Sequence, residues 1–175
     1  WVGRNVKPPG MNYDSCFFTL TLCATPNGLV CWNKGGQLFR YATDSNRWVE
    51  LELHGAKLPG AEVDNSTLLY DGRRERLLFV RKPYGDPPFD GVLHALDLKT
   101  LEVNKLEPAG SPAASRIGYL CQLRYDSDHD LVLCGCTFKD AAGTRRTPAY
   151  DCQGNRWVSL AIGGDDPSGE RGRNV

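Results

Sequence analysis

The chain repeats its own layout at intervals of roughly fifty residues, and a period of that size admits few folds. From Tyr70 the order is Y-D-G-R-R-E-R-L-L-F-V, then H-A-L-D-L-K-T-L-E-V-N-K-L, then A-G-S-P-A-A-S-R. From Tyr125 it returns as Y-D-S-D-H-D-L-V-L-C-G, then A-Y-D-C-Q-G-N-R-W-V-S-L, then G-G-D-D-P-S-G-E-R. A weaker copy precedes both: L-C-A-T-P-N-G-L-V-C-W, F-R-Y-A-T-D-S-N-R-W-V-E-L, H-G-A-K-L-P-G-A-E-V.

Within each copy the apolar runs are short, rich in branched and aromatic residues, and bounded by turn formers, which is the pattern of strands. Leu68 to Tyr70 and Leu77 to Val80 flank Asp71-Gly72-Arg73-Arg74; Leu120 to Tyr125 and Leu131 to Leu133 flank Asp126 to Asp130. Both interruptions are turn-like and predict antiparallel hairpins. A third strand is expected at Gln37–Ala42, Val92–Leu98 and Pro148–Cys152, and a fourth at Arg47–Leu53, Leu101–Leu106 and Arg156–Ile162. No window has convincing amphipathic helical spacing. Four-stranded antiparallel units in series predict an all-β protein of the β-propeller kind, with about three blades at 17–54, 67–107 and 118–162. An outer strand of a preceding unit is expected to begin at Trp1, because W-V-G-R-N-V-K-P-P-G parallels W-V-E-L-E-L-H-G-A-K-L-P-G.

Trp48 and Trp157 stand at one place in the fourth strand and Val103 fills it in the middle copy, so this position is expected to pack one unit on the next. Together with Tyr70-Asp71, Tyr125-Asp126, Tyr150-Asp151, Gly135, and the linker pairs Pro112 with Arg116 and Pro167 with Arg171, the pattern resembles kelch-type β-propellers. It departs from them in lacking a double glycine in any second strand; Gly35-Gly36 falls in a turn. The resemblance implies a module that works by binding, through the loops between strands two and three and between units. On that basis the candidate binding residues are Tyr84, Asp86, Phe89 and Asp90, in the long Pro-rich loop at 82–91, with Arg116 and Arg171. Prolines stiffen such a loop and lower the entropy lost on binding. Aromatics beside carboxylates suit a protein hot spot or a sugar face. The competing reading folds Tyr84 and Phe89 back over the sheet edge.

Charge and motif content narrow the function. Lys plus Arg equals Asp plus Glu at 21 each, so neither nucleic acid nor an anionic membrane surface is an expected partner. Arg73, Arg74 and Arg76 cluster at a hairpin tip and are expected to be solvated. Asp126-x-Asp128-x-Asp130 suggests a calcium loop, but Leu131 and Thr137 occupy the places of its glycine and glutamate, so a solvated turn is expected. Asn65-Ser66-Thr67 matches a glycosylation acceptor, a pattern that often arises by chance. The seven cysteines mostly sit in apolar runs and read as small buried hydrophobes; Cys134-Gly-Cys136 lacks the partners of a zinc site. His54, His94 and His129 fall at unrelated places in the repeat, and no nucleophile elbow, zincin motif or phosphate loop is present.

The reading is therefore a non-catalytic binding or scaffolding module for a protein or glycan, with no catalytic residue, cofactor or metal expected. The alternative is the propeller part of a larger enzyme, such as a galactose-oxidase-like copper oxidoreductase. Three units make an open arc, since closed propellers use about four to eight. The expected further partner is a second copy or additional blades of the same ring. Localisation outside the cytoplasm is a weak expectation.

Overall fold

The computed structural model describes residues 20–61, 66–81, 89–110 and 122–163, and all its regular elements are strands. The first sheet is β1 (Leu20–Thr25), β2 (Gly28–Asn33), β3 (Leu38–Ala42) and β4 (Arg47–Glu50), paired in that order. After a short parallel strand β5 (His54–Gly55) come β6 (Ser66–Asp71), β7 (Arg76–Arg81), β8 (Leu93–Asp97) and β9 (Glu102–Leu106), which form the second sheet. The third holds β10 (Leu123–Asp126), β11 (Leu131–Cys134), β12 (Phe138–Lys139), β13 (Arg145–Asp151) and β14 (Arg156–Ala161). Each sheet is thus an antiparallel meander of four main strands. Trp1 and its expected outer strand lie outside the described residues.

The strand-to-strand turns explain the repeated sequence. Four-residue loops join Ala42 to Arg47, Asp71 to Arg76, Asp126 to Leu131 and Asp151 to Arg156, and the segment from Asp97 to Glu102 has the same length. In all five the last loop residue turns left-handed: Asn46, Glu75, Leu101, Asp130 and Asn155 have φ between 44° and 58°. Leu101, expected in a strand, is therefore a turn residue, and β9 starts one position later. The aspartate before the loop accepts its amides: Asp97, Asp126 and Asp151 each take two backbone N–H groups, and Asp71 takes that of Arg74. These are Asx-type turns, in which a carboxylate satisfies loop amides locally. The preceding tyrosine then reaches over the loop. Tyr41 donates to Asn46 Oδ1, Tyr125 to Asp130 Oδ1 at 2.9 Å, and Tyr150 to Asn155 Oδ1 at 3.0 Å. The Tyr-Asp signature is a turn-locking device.

The sheets stack face to face, with the second in the middle. Leu77 and Phe79 join the core shared with the first sheet, while Leu78 and Val80 join the core shared with the third. A strand buried on both faces reads as a continuous apolar run, which is why Leu77 to Val80 shows no alternation. Trp32 anchors the first core, with its ring edge-on to Phe79 at 5.1 Å and its indole N–H on the Pro59 carbonyl. In the second, Trp157 packs edge-on to Phe89 at 5.6 Å and donates to the Gly91 carbonyl at 2.9 Å. The register places Trp48, Val103 and Trp157 opposite Tyr41, Leu96 and Tyr150 respectively, one structural position in three sheets. Along the other edge β6 lies between β1 and β10, so the first strands of the three sheets are neighbours.

Each linker covers the outer edge of the sheet that follows it. β5 pairs with β9 through His54 N–H on Leu101 O and Ala56 N–H on Val103 O. Ala109 bridges Arg156 in the same sense, and its carbonyl takes the Trp157 N–H at 2.8 Å. Both crossings use a glycine with φ near 80°, where a Cβ would stand 2.5 Å from Val103 O at Gly55 and 3.1 Å from Trp157 O at Gly110. At Gly55 the backbone passes too closely for a side chain, at Gly110 the Trp157 carbonyl would have to give way and the positive φ adds strain, and both crossings satisfy groups an open sheet edge would leave bare. The third sheet departs from the pattern. Its second strand breaks at Cys134 and resumes as β12 on the same side of β13, with the Thr147 hydroxyl donating to the carbonyls of Cys134 (2.7 Å) and Cys136 (2.9 Å) across the break.

Candidate functional site

The densest cluster of charge among the described residues lies between the second and third sheets, at the tips of their first hairpins. Asp71 ends β6 and is fully buried; Asp130, the left-handed residue of the next hairpin, is 5% exposed. Arg74 spans the two, with Nη1 and Nη2 on the Asp130 carboxylate at 2.8 and 2.7 Å and Nη1 also 3.2 Å from Asp71. Arg76 donates its Nε to Asp71 at 2.8 Å, and Tyr125 donates to Asp130. The Arg73 guanidinium reaches the Asp128 carbonyl at 3.0 Å, a further link between the hairpins. Two carboxylates and two guanidiniums balance in charge, and the bidentate geometry is that of a strong charge-assisted pair.

The expectation of a solvated arginine cluster is thereby corrected for Arg74 and Arg76, which turn inward because two buried carboxylates would otherwise lie unpaired. The expected turn at Asp126 to Asp130 is present, but Asp130 is buried rather than solvated. The burial of Asp130 could not be read from one hairpin, since Asp71 finds Arg74 and Arg76 within its own hairpin whereas Asp130 takes Arg74 across a gap of 56 residues. The recurrence of Asp at the start of the loop was the available signal for Asp71. For Asp130 it was the left-handed loop position shared with Asn46 and Asn155.

Arg74 holds the Asp130 carboxyl below the usual carboxylate range, with the Tyr125 hydroxyl adding to the effect against the cost of burial. Burial raises the Tyr125 phenol and pushes the Cys152 thiol up to about 12. Ligand atoms of Asp71, Asp130 and Cys152 lie within 4.8 Å of one another, close enough to share a cation. The donor set does not fit one. The carboxylates are already spanned by Arg74 and Arg76, and a metal needs a thiolate that burial beside two carboxylates disfavours. The arrangement works as an inter-sheet clamp.

The candidate binding residues fall elsewhere. Phe89 is 3% exposed and its ring belongs to the core against Trp157, so this aromatic follows the competing reading and packs inward. Asp90 is exposed and accepts the Val92 N–H at 3.0 Å, fixing the entry to β8. His94, close by, is held below the usual imidazole range by burial and by Lys105, with Asp90 opposing. Tyr84, Asp86, Arg116 and Arg171 lie outside the described residues. Among the cysteines, Cys31, Cys134 and Cys152 are buried and Cys23 and Cys136 half-buried; Cys16 and Cys121 lie outside the described residues. Burial pushes the Cys31 thiol up to about 11.

No family model matches the chain, and a search of the curated proteins finds no similar sequence.

Proposed function

We propose that this chain is a β-propeller-type, kelch-like module that binds a protein or a glycan through the loops joining its second and third strands and the linkers between sheets, without chemistry of its own. The observation that carries the reading is a contrast between framework and loops. Five of the six turns on one side of the sheets repeat the same four-residue geometry, the β1–β2 turn Pro26-Asn27 being shorter, and their signature tyrosines and aspartates are engaged in locking it. The connections between second and third strands do not repeat: they run over 34–37, 82–92 and 135–144 in the three sheets, the last containing β12. A repeated rigid frame carrying unlike loops is the usual division between support and recognition. In this reading the sheets are blades arranged around an axis lined by β1, β6 and β10.

The test is binding dependent on the loop. The chain is screened on a glycan array and against soluble protein extracts, beside a Tyr84→Ala/Asp86→Ala/Asp90→Ala variant. Phe89 is left in place because its ring supports Trp157. The expected result is at least a ten-fold loss of a specific ligand with an unchanged circular dichroism spectrum. Equal retention of every ligand by the variant contradicts the loop assignment.

A further inference from the structure

Two buried residues of the first sheet belong to neither of the cores between sheets. In the strand register Leu22, Cys31 and Phe39 lie side by side across β1, β2 and β3. Val30, Trp32 and Leu38 alternate with them and fill the core shared with the second sheet, so Cys31 and Phe39 face the other way. Cys31 is nonetheless 0% and Phe39 4% exposed, whereas Leu22 and Leu29 on the same face are 49% and 36% exposed. The outward face is therefore covered from within the chain at Cys31 and Phe39 and open at Leu22 and Leu29. A cover of that width is a single stretch of chain. A packed sheet would take the two leucines as well, as it takes their counterparts Leu68 and Leu77 in the second sheet.

The second sheet shows what fills the matching place. Phe79 pairs with Leu68 as Cys31 pairs with Leu22, and the core around Phe79 includes Leu58 and Ala61 of the linker that leads into that sheet. That linker first crosses the outer strand at Gly55, and the linker into the third sheet crosses at Gly110. Gly55 and Gly110 each stand fifteen residues before the penultimate residue of the next first strand, Tyr70 and Tyr125. Gly10 stands fourteen residues before Ala24, the penultimate residue of β1, and Tyr13 follows Gly10 at the distance at which Leu58 follows Gly55. Residues 1–19 lie outside the described residues. We propose that the segment 10–19 is the occupant of this face, crossing the outer edge of β4 at Gly10 and bringing Tyr13 over Cys31 and Phe39. Among the other stretches outside the described residues, 62–65 and 82–88 belong to the second sheet and 111–121 leads into the third. The stretch 164–175 offers Val175 as its one large apolar side chain. The crossing covers the edge of β4 as the linkers cover those of β9 and β14, so each sheet is sealed by the chain that leads into it.

Alkylation of the native full-length chain with a maleimide, resolved by peptide mass spectrometry, tests this. Cys31 reports on the outward face of the first sheet, and Cys152, buried in the core between the second and third sheets, is the internal reference. Both thiols are expected to be protected in the wild-type chain. Tyr13→Asp is expected to speed labelling of Cys31 about ten-fold or more while Cys152 stays as it was, because only the cover of the first sheet is loosened. Unchanged labelling of Cys31 in a folded Tyr13→Asp chain overturns the proposal, since another group then protects the thiol. A variant that labels faster at both cysteines has loosened as a whole and is replaced by the milder Tyr13→Ser, for which the same two outcomes decide. Ligand binding by the loops is read separately, so failure of either proposal leaves the other standing.

Discussion

Asp130 shows how one side chain serves two structures at once. Its backbone supplies the left-handed turn of its own hairpin, and its carboxylate receives Arg74 from the sheet before it. The second role requires the ionised form. The folded carboxyl is held below its ordinary value of about 3.9, so its contribution is complete above that value and is lost as pH falls through the lower folded one. Replacing Asp130 by Asn removes the charge while keeping the turn and a hydrogen-bond acceptor for Tyr125. We expect Asp130→Asn to cost about 2–3 kcal/mol at neutral pH, as measured by urea unfolding, because Arg74 then loses its paired charge. The variant is also expected to lose less stability than the wild type between pH 5 and pH 2, measured in the same way over about that range. An unchanged slope contradicts the assignment. Asp97, Asp126, Asp140 and Asp151 are held low as well, so the slope becomes shallower without vanishing.

At the scale of the element, the hairpin loops form one family with an imperfect member. Asn46, Asp130 and Asn155 each adopt the left-handed conformation and accept a hydroxyl from the tyrosine five residues earlier. Tyr70 and Glu75 occupy the same two places, but glutamate is a poor left-handed residue, and Glu75 pairs instead with exposed Lys99. That exposed pair contributes little. Glu75→Asn is accordingly expected to raise stability by about 0.5–1 kcal/mol, read as a higher midpoint in thermal or urea unfolding. A decrease contradicts the view that these loops share one locking geometry. The hairpins themselves were legible in the sequence because turn chemistry is local: aspartate, glycine and asparagine cluster between short apolar runs. The shared position of Trp48, Val103 and Trp157 was legible for the same reason, since the loops before it have equal length. The break at Cys134 and strand β12 were not, because they depend on the Thr147 hydroxyl bridging two carbonyls from another strand. Likewise, Phe89 follows prolines and precedes Asp90-Gly91, a local context typical of a loop, and only the facing Trp157 makes it a core residue.

For the whole molecule, the physical theme is repetition of one interface. The second sheet buries one face on the first and the other on the third, linkers cover the outer edges of the second and third, and the first strands β1, β6 and β10 are neighbours. Such arrays derive stability from neighbour-to-neighbour contacts. Leu22 and Leu29 of the first sheet stand exposed at positions whose counterparts in the other two sheets are buried. The period announced the number and order of sheets, while the ion clamp joining the second to the third arose from residues belonging to different repeats and was hidden from any reading of one repeat. A crystal structure of the purified chain tests the central claim most directly. The account predicts three successive four-stranded sheets fanned about an axis, with β1, β6 and β10 innermost. Sheets paired in two layers with β6 apart from β1 and β10, or first strands on the outside, would contradict it.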